Sequence, residues 1–97
     1  MKVSWTQTAI DNLSAIYNYV AQTSPQYASR LVDRITKRSE QITSFPLSGR
    51  TVPEFDDFQI REVIEGSYRI IYYIKPEQID VLAVIHGSQH IKSNMDD

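Results

Sequence analysis

Three short runs of β-branched and aromatic residues between residues 60 and 86 constrain the fold of this chain more than any other feature. They read IREVIE, YRIIYYI and IDVLAVIH. Gly66-Ser67 separates the first two runs, and Pro76-Glu77 lies between the second and the third. Runs of this composition, separated by short turn sequences, predict a three-stranded antiparallel meander.

The two turns determine which side chains share a face of that meander. Two-residue turns at both positions would place Arg69 opposite Val84 and close to His86, because antiparallel partners keep a constant index sum. Glu62, Arg69 and His86 would then share one face. Arg61 would be the only charged residue on the other face away from the turns. A three-residue turn in either hairpin would reverse these assignments.

The first half of the chain predicts an edge strand and two helices. Residues 2–6 alternate in the manner of a strand that could join the meander. A helix that begins near Thr6 or Thr8 is predicted by an apolar stripe at three- and four-residue spacing, whose members are Ala9, Ile10, Leu13, Ile16, Tyr17 and Val20. Ser24 and Pro25 are residue types typical of an N-cap and a first helical position, so a second helix is expected from there to about Phe45.

The order of elements is therefore β-α-α-β-β-β. This order predicts an α+β fold in which a helical hairpin packs on a small antiparallel sheet. At 97 residues, the chain is expected to form one domain over residues 1–97. The residues after His86 are polar and lack periodicity, which predicts a short turn followed by a loosely held tail.

Composition and charge narrow the functional classes. The chain is 41% hydrophobic and has no run of about 20 apolar residues, so no membrane span is expected. The N-terminus lacks the apolar core of a signal peptide, and a cytoplasmic location is expected. No cysteine is present, which excludes thiolate chemistry, and the chain has no zinc-binding motif, so no metal or cofactor is predicted. A net charge of −2 has the wrong sign for binding nucleic acid mainly through its phosphates.

One set of residues has the chemistry of a nuclease. A histidine that titrates near neutrality (His86), a permanent cation (Arg69) and a carboxylate (Glu54 or Glu62) are the groups that general acid-base cleavage of RNA requires. The alternative is a structural ion pair between Arg69 and Glu62 across the sheet, with His86 at a strand end. Residue spacing alone favours the structural alternative.

A second set of residues suits an acidic partner. Arg30, Arg34, Lys37 and Arg38 lie off the apolar stripe of the second helix and form a basic ridge. The ridge predicts either a solvated helix face or a docking surface for an acidic protein segment.

Four motifs follow one another along the chain: Pro46-x-x-Gly49-Arg50-x-Val52-Pro53-Glu54, Arg61-Glu62, Tyr68-Arg69-Ile70-Ile71-Tyr72 and Val84-Ile85-His86-Gly87. In this order they resemble the ParE/RelE toxin superfamily of type II toxin–antitoxin modules, and the resemblance extends from end to end. It implies a small cytoplasmic toxin that is neutralised by an antitoxin whose disordered tail folds along it. The basic ridge at Arg30, Arg34 and Arg38 is then the predicted antitoxin-binding site.

The resemblance leaves two mechanisms open. ParE-type toxins poison DNA gyrase through protein contact, whereas RelE-type toxins cut messenger RNA on the ribosome. In the nuclease branch the catalytic residues would fall on Glu54, Arg69 and His86, with Arg61 and Glu62 as further candidates. Gly87 and Ser88 stand where nuclease members carry a terminal aromatic residue, and the basic surface of ribosome-directed toxins is absent. The ParE-like mechanism is therefore favoured, with an mRNA endonuclease and a degenerate, non-toxic binding module as alternatives.

Overall fold

The computed structural model describes residues 1–91, in which two helices pack on one face of a five-stranded sheet. The predicted α+β class is confirmed. The elements are β1 (Lys2–Trp5), α1 (Gln7–Ala21), α2 (Pro25–Ile42), a 3-10 turn (Pro46–Ser48), β2 (Arg50–Thr51), β3 (Ile60–Glu65), β4 (Tyr68–Ile74) and β5 (Gln78–His86). Neither helix in this part of the chain is long and apolar enough to cross a membrane.

The strand order is β1-β5-β4-β3-β2. The predicted meander forms the antiparallel centre of the sheet, and β1 joins it as the predicted edge strand. Because β1 runs parallel to β5, the sheet is mixed rather than purely antiparallel. The two-residue strand β2, which pairs with β3, was not predicted because it is too short to show alternation.

The predicted register holds throughout the first hairpin, and in the second it holds from the turn as far as the Tyr72–Val81 pair. Gly66 occupies the left-handed region at φ 59°, and Arg69 pairs with Ile64, as a two-residue turn requires. In the second hairpin an irregularity shifts the register between Ile71 and Tyr72. Arg69 therefore lies opposite Ile85 rather than Val84, so the predicted pairing is wrong.

The same shift changes the face on which His86 lies. His86 pairs with Tyr68, the neighbour of Arg69, so the register places it on the sheet face opposite to Arg69. The predicted grouping of His86 with Glu62 and Arg69 on one face is wrong for this reason. Glu62 and Arg69 do share a face, as predicted.

Two polar side chains of the α1 region bond to the backbone at the irregular part of β5. The Thr6 hydroxyl donates to the carbonyls of Val81 and Leu82, both at 3.1 Å, and the Asn12 side-chain oxygen accepts from the Val84 N–H at 3.0 Å. Thr6 also caps α1 by accepting from the Ala9 N–H, so it is Thr6 and not Thr8 that begins the helix. Leu82 and Val84 lie beyond Val81, the last residue of β5 that pairs with β1, so the Thr6 and Asn12 side chains bond to backbone groups that β1 does not reach.

The helix-facing core agrees with the predicted stripes except at three positions. Ala28, Leu31, Ile35 and Ile42 of α2 are buried, but the helix ends at Ile42, and Phe45 is 70% exposed. In α1, Ile10 and Tyr17 belong to the predicted stripe but are exposed. The opposite sheet face carries a smaller apolar cluster, whose members are Val52, Phe55, Ile60, Ile71, Tyr73, Leu82, Ile85 and Ile91.

Candidate functional site

Arg69 lies at the centre of a buried ion cluster on the sheet face away from the helices. Its Nε donates to Glu62 Oε1 at 2.6 Å, and its two terminal nitrogens bind the two oxygens of Glu54, both at 2.9 Å. Nη1 also donates to the Gln89 carbonyl at 2.8 Å. These contacts use four of the five N–H donors of the guanidinium. The side chain is 7% exposed, so the donors are occupied by protein groups rather than by water.

The surrounding elements explain why these groups meet. Glu62 precedes Ile64, the β3 partner of Arg69, by two residues, and therefore points to the same face of the sheet as Arg69. Its side chain is completely buried and also binds Arg50, the first residue of β2. Glu54 follows Pro53 in the loop after β2. We refer to Arg50, Glu54, Glu62 and Arg69 as the Arg69 cluster.

The electrostatics of the Arg69 cluster favour fixed charges. Hydrogen bonds from the Arg69 side chain lower the pKa of Glu54 from 4.5 to about 2. Because Glu54 and Glu62 accept these hydrogen bonds, the pKa of Arg69 is raised above its usual value. Neither Glu54 nor Arg69 changes its protonation state near neutrality, so neither is suited to exchange protons with a substrate there.

His86 stands apart from this cluster. Its ring contacts the Ser88 hydroxyl, with 2.8 Å between Nδ1 and Oγ, and meets the Tyr68 ring edge-on at a centroid distance of 5.7 Å. The histidine beside the cluster is instead His90, whose Nδ1 lies 3.4 Å from Glu54 Oε2 and whose side chain is 89% exposed. Of the three predicted catalytic residues, the fold brings together Glu54 and Arg69. The catalytic role of all three stays a prediction.

The segment after β5 is held more firmly than its polar sequence predicts. It makes the predicted short turn, in which the Gln89 N–H donates to the His86 carbonyl at 2.9 Å. The predicted loose tail is wrong for residues 89–91, because the Ile91 N–H donates to Glu54 at 3.2 Å and Ile91 packs on the smaller apolar cluster. The rest of that predicted tail, residues 92–97, lies outside the described residues. A cavity of about 260 Å³ lies between this segment and the Arg69 cluster.

The basic ridge lies on the side of α2 that faces β3. Arg34 Nε is 3.9 Å from Glu65 Oε2 at the end of β3, and its guanidinium lies 5.8 Å from the centre of the Tyr27 ring. Arg30 and Arg34 are exposed, and Arg38 is half-buried near the end of α2. The predicted ridge therefore exists, and it runs beside the sheet rather than along the seam between the helices.

A separate apolar groove lies between β1 and the helical hairpin. It encloses about 330 Å³ and is lined by Trp5, Ile10, Leu13, Ser14, Tyr17, Asn18 and Val32. Val32 is about 200° around α2 from Arg30, because each residue turns the helix by about 100°. The groove and the basic ridge are therefore on opposite sides of α2.

The Arg61 side chain binds to the connection between α2 and β3. Its Nη1 donates to the Gly49 carbonyl at 3.0 Å, and its guanidinium stacks 4.2 Å from the centre of the Phe58 ring. The buried Tyr72 hydroxyl donates to the Pro46 carbonyl at 2.6 Å and accepts from the Gly49 N–H at 3.2 Å. Sequence reasoning missed this role of Tyr72, because a tyrosine in an apolar strand has the signature of an ordinary core residue. Within residues 1–91 there is no group of three His, Asp or Glu residues that could hold a metal ion.

Comparison with known proteins identifies relatives along almost the whole chain. The profile of the family described as "ParE toxin of type II toxin-antitoxin system, parDE" matches residues 3–91. The chain is 28% identical over 89 residues to Toxin RelE2 of Caulobacter vibrioides, with 91% of this chain and 97% of that protein covered.

Two solved structures share the fold. The chromosomal ParDE system from P. aeruginosa superposes with a TM-score of 0.73 at 24% identity, covering 89% of this chain and 95% of that chain. The toxin–antitoxin complex RelBE2 from Mycobacterium tuberculosis superposes with a TM-score of 0.61 at 19% identity, covering 91% and 92%. The family match includes both helices, all five strands and the Arg69 cluster. The chain therefore belongs to the ParE toxin family, within the ParE/RelE superfamily of type II toxin–antitoxin toxins.

Proposed function

We propose that this toxin arrests bacterial growth from the cytoplasm by binding DNA gyrase, without cutting RNA, and that a cognate antitoxin neutralises it. The observation that carries the proposal is the engagement of Arg69 by two buried carboxylates. In the alternative, a RelE-like mRNA endonuclease, this arginine would have to bind the phosphate of a messenger on the ribosome. Within the Arg69 cluster the guanidinium has one N–H left for such a contact.

Freeing Arg69 for a phosphate would be costly. Removing the cation from Glu54 and Glu62 would leave two buried carboxylates beside a phosphate of the same sign. Breaking one partner from a buried ion pair costs about 3–5 kcal/mol in proteins. His86 lies on the sheet face opposite to Arg69, whereas a nuclease would need the histidine beside the arginine. This position also supports a mechanism without RNA cleavage.

Expression of the chain without an antitoxin tests this proposal. Growth should stop, and messenger RNA on ribosomes should stay intact, because His86 does not join Arg69 and Glu54 in the part of the chain that the structure describes. The variant His86→Ala should arrest growth as strongly as the wild type. Cuts in phase with codons that disappear in His86→Ala would instead establish the nuclease alternative. Normal growth at confirmed expression of the folded protein would indicate the third alternative, a degenerate binding module.

For the antitoxin we propose a docking site along the basic ridge and the adjoining edge of β3. Strand β2 pairs only with Arg61 and Glu62, so the rest of β3 has no strand partner on that side within residues 1–91. A disordered tail can add a strand to such an edge and place its side chains against α2. Acidic residues on that tail would meet Arg30, Arg34 and Arg38, which raises the rate of association.

Charge reversal of the ridge tests the docking site. Replacing Arg30, Arg34 and Arg38 with Glu should slow association with the purified antitoxin and remove most of its dependence on salt concentration. Lys2→Glu is the control, because Lys2 is an exposed cation on β1, at the other edge of the sheet. If both proteins associate with the antitoxin at the wild-type rate at low ionic strength, the ridge is only a solvated helix face.

A further inference from the structure

The connection between α2 and β3 exposes three large apolar side chains. Phe45 is 70% exposed, Leu47 60% and Phe58 64%. Single exposed apolar residues are ordinary on protein surfaces, but a group of them on one connection indicates an interaction surface. None of the three belongs to the Arg69 cluster or to the groove beside β1.

Side chains of β3 and β4 hold the backbone of this connection in place. The fully buried Tyr72 hydroxyl bonds to both Pro46 and Gly49, and Arg61 bonds to the Gly49 carbonyl. Gly49 lies so close to the backbone of β3 that a Cβ atom added at Gly49 would come within 2.6 Å of the Glu62 carbonyl oxygen. The fold therefore fixes this turn through buried anchors while it leaves the side chains of Phe45 and Leu47 in solvent.

Two cations border the same surface. Arg38 and Phe45 line one shallow cavity together with Gln41, Ser44 and Ser48. Arg61 reaches Gly49, the residue after Ser48, and covers one side of the Phe58 ring. Burial raises the pKa of Tyr72, and the hydrogen bond from Gly49 and the charges of Arg61 and Arg38 oppose that rise. Neither arginine pairs with a carboxylate within residues 1–91.

We propose that Phe45, Leu47 and Phe58, with Arg38 and Arg61 at their border, form the surface through which the toxin binds its protein target, and that the target presents an apolar patch edged by acidic residues. We call it the target surface. This inference rests on the proposed function, because that function requires the toxin to bind a protein target. It holds for any protein target, DNA gyrase included. Exposed aromatic and apolar anchors bordered by arginine are the composition of energetically dominant interface residues.

Charge argues for this occupant over a second copy of the chain. A second copy that met this surface through its own target-facing residues would add two further arginines to the interface, and like charges across an interface are unfavourable. The proposed antitoxin site extends along α2 as far as Arg38. An antitoxin seated there would reach the border of the target surface, which would make antitoxin and target compete.

The double variant Phe45→Ser/Leu47→Ser tests the target surface. Both side chains are largely in solvent, so the free energy of unfolding, measured in urea, should match that of the wild type. Growth arrest by the toxin alone should weaken at least about tenfold, as loss of two interface anchors predicts. Affinity for the purified antitoxin should stay within about twofold, since the ridge is intact. Tyr19→Ser is the matched control, because Tyr19 is 75% exposed on α1 and should keep full growth arrest.

Each other outcome has a separate meaning. Full growth arrest by the double variant overturns the target surface and leaves the proposed function standing. If the double variant loses growth arrest and antitoxin affinity to the same extent, the target surface is not distinct from the antitoxin site, and the proposal is overturned. Salt-dependent binding of the wild type to a short single-stranded RNA or a DNA duplex, lost in the double variant, would assign the surface to nucleic acid and overturn the proposal. Failure of the folded wild type to arrest growth would remove the proposed function itself.

Discussion

Arg69→Met should lower the free energy of unfolding by about 3–5 kcal/mol at neutral pH, because it leaves two buried carboxylates without their shared cation. The Glu54 side chain is 8% exposed and that of Glu62 is fully buried, so water cannot replace the lost hydrogen bonds. Methionine keeps much of the arginine volume, which limits any cavity contribution. For a domain of this size, each kcal/mol lowers Tm by roughly 4–8 °C, and the expected fall is about 12–40 °C.

The loss should depend on pH with a sign that follows from the Glu54 pKa. In the wild type this pKa is about 2, below the ordinary 4.5, so the carboxylate contributes stability above pH 4.5 that disappears as the pH falls towards 2. Without Arg69, burial raises the pKa of Glu54, and the variant gains stability when this carboxyl group is protonated. The difference between the two proteins should therefore narrow between about pH 5 and pH 2.

Urea unfolding at pH 7 and pH 3, followed by Trp5 fluorescence, measures both effects. Arg30→Met is the control, since Arg30 is exposed, and its loss should change stability by no more than about 0.5 kcal/mol. The double variant Arg69→Met/Glu54→Gln should recover part of the loss, because it removes one stranded charge. A loss below about 1 kcal/mol, or an equal loss at both pH values, would refute a buried ion cluster as the source of stability.

Two further changes test the packing around the site. Gly49→Ala should lower the free energy of unfolding in urea by about 1–3 kcal/mol, because the new methyl group would overlap the Tyr72 hydroxyl and the Glu62 carbonyl oxygen. An unchanged unfolding midpoint would contradict the close approach of Gly49 to these two oxygens. Asn12→Ala should cost about 1–3 kcal/mol and accelerate hydrogen exchange at the Val84 amide, which loses its acceptor in the irregular part of β5; slow exchange there in the variant would mean that another group satisfies it.

The sequence predicts the register of the first hairpin throughout but that of the second only near its turn, and the difference has a physical cause. In the first hairpin, a glycine at the turn allows the left-handed backbone conformation, and Glu62 and Arg69 mark one face. In β5, both faces are apolar from Val81 to Ile85, so a slip of one residue in that part of the strand places no charge in the core. Hydrophobic alternation therefore carries no signal for the irregularity that moves His86 to the other face.

The candidate site was predicted only where side chains meet side chains. The Glu62–Arg69 pair follows from the spacing of residues on adjacent strands. Glu54 was a candidate carboxylate both by its chemistry and by the family resemblance, but nothing in its loop position predicts its contact with Arg69. The backbone groups of Gln89 and Ile91 complete the cluster, and main-chain donors and acceptors are the same in every sequence. The end of α2 was placed too late because Phe45 fits the helical stripe, although the helix stops before Pro46.

The measurement that most directly tests the proposed mechanism is supercoiling of relaxed plasmid by purified DNA gyrase, with the toxin titrated into the reaction. The wild type and His86→Ala should inhibit supercoiling, or trap cleaved DNA, at similar concentrations, and the cognate antitoxin should reverse the inhibition. Unimpaired supercoiling at saturating toxin, together with messenger cleavage on purified ribosomes that depends on His86, would contradict the proposed mechanism.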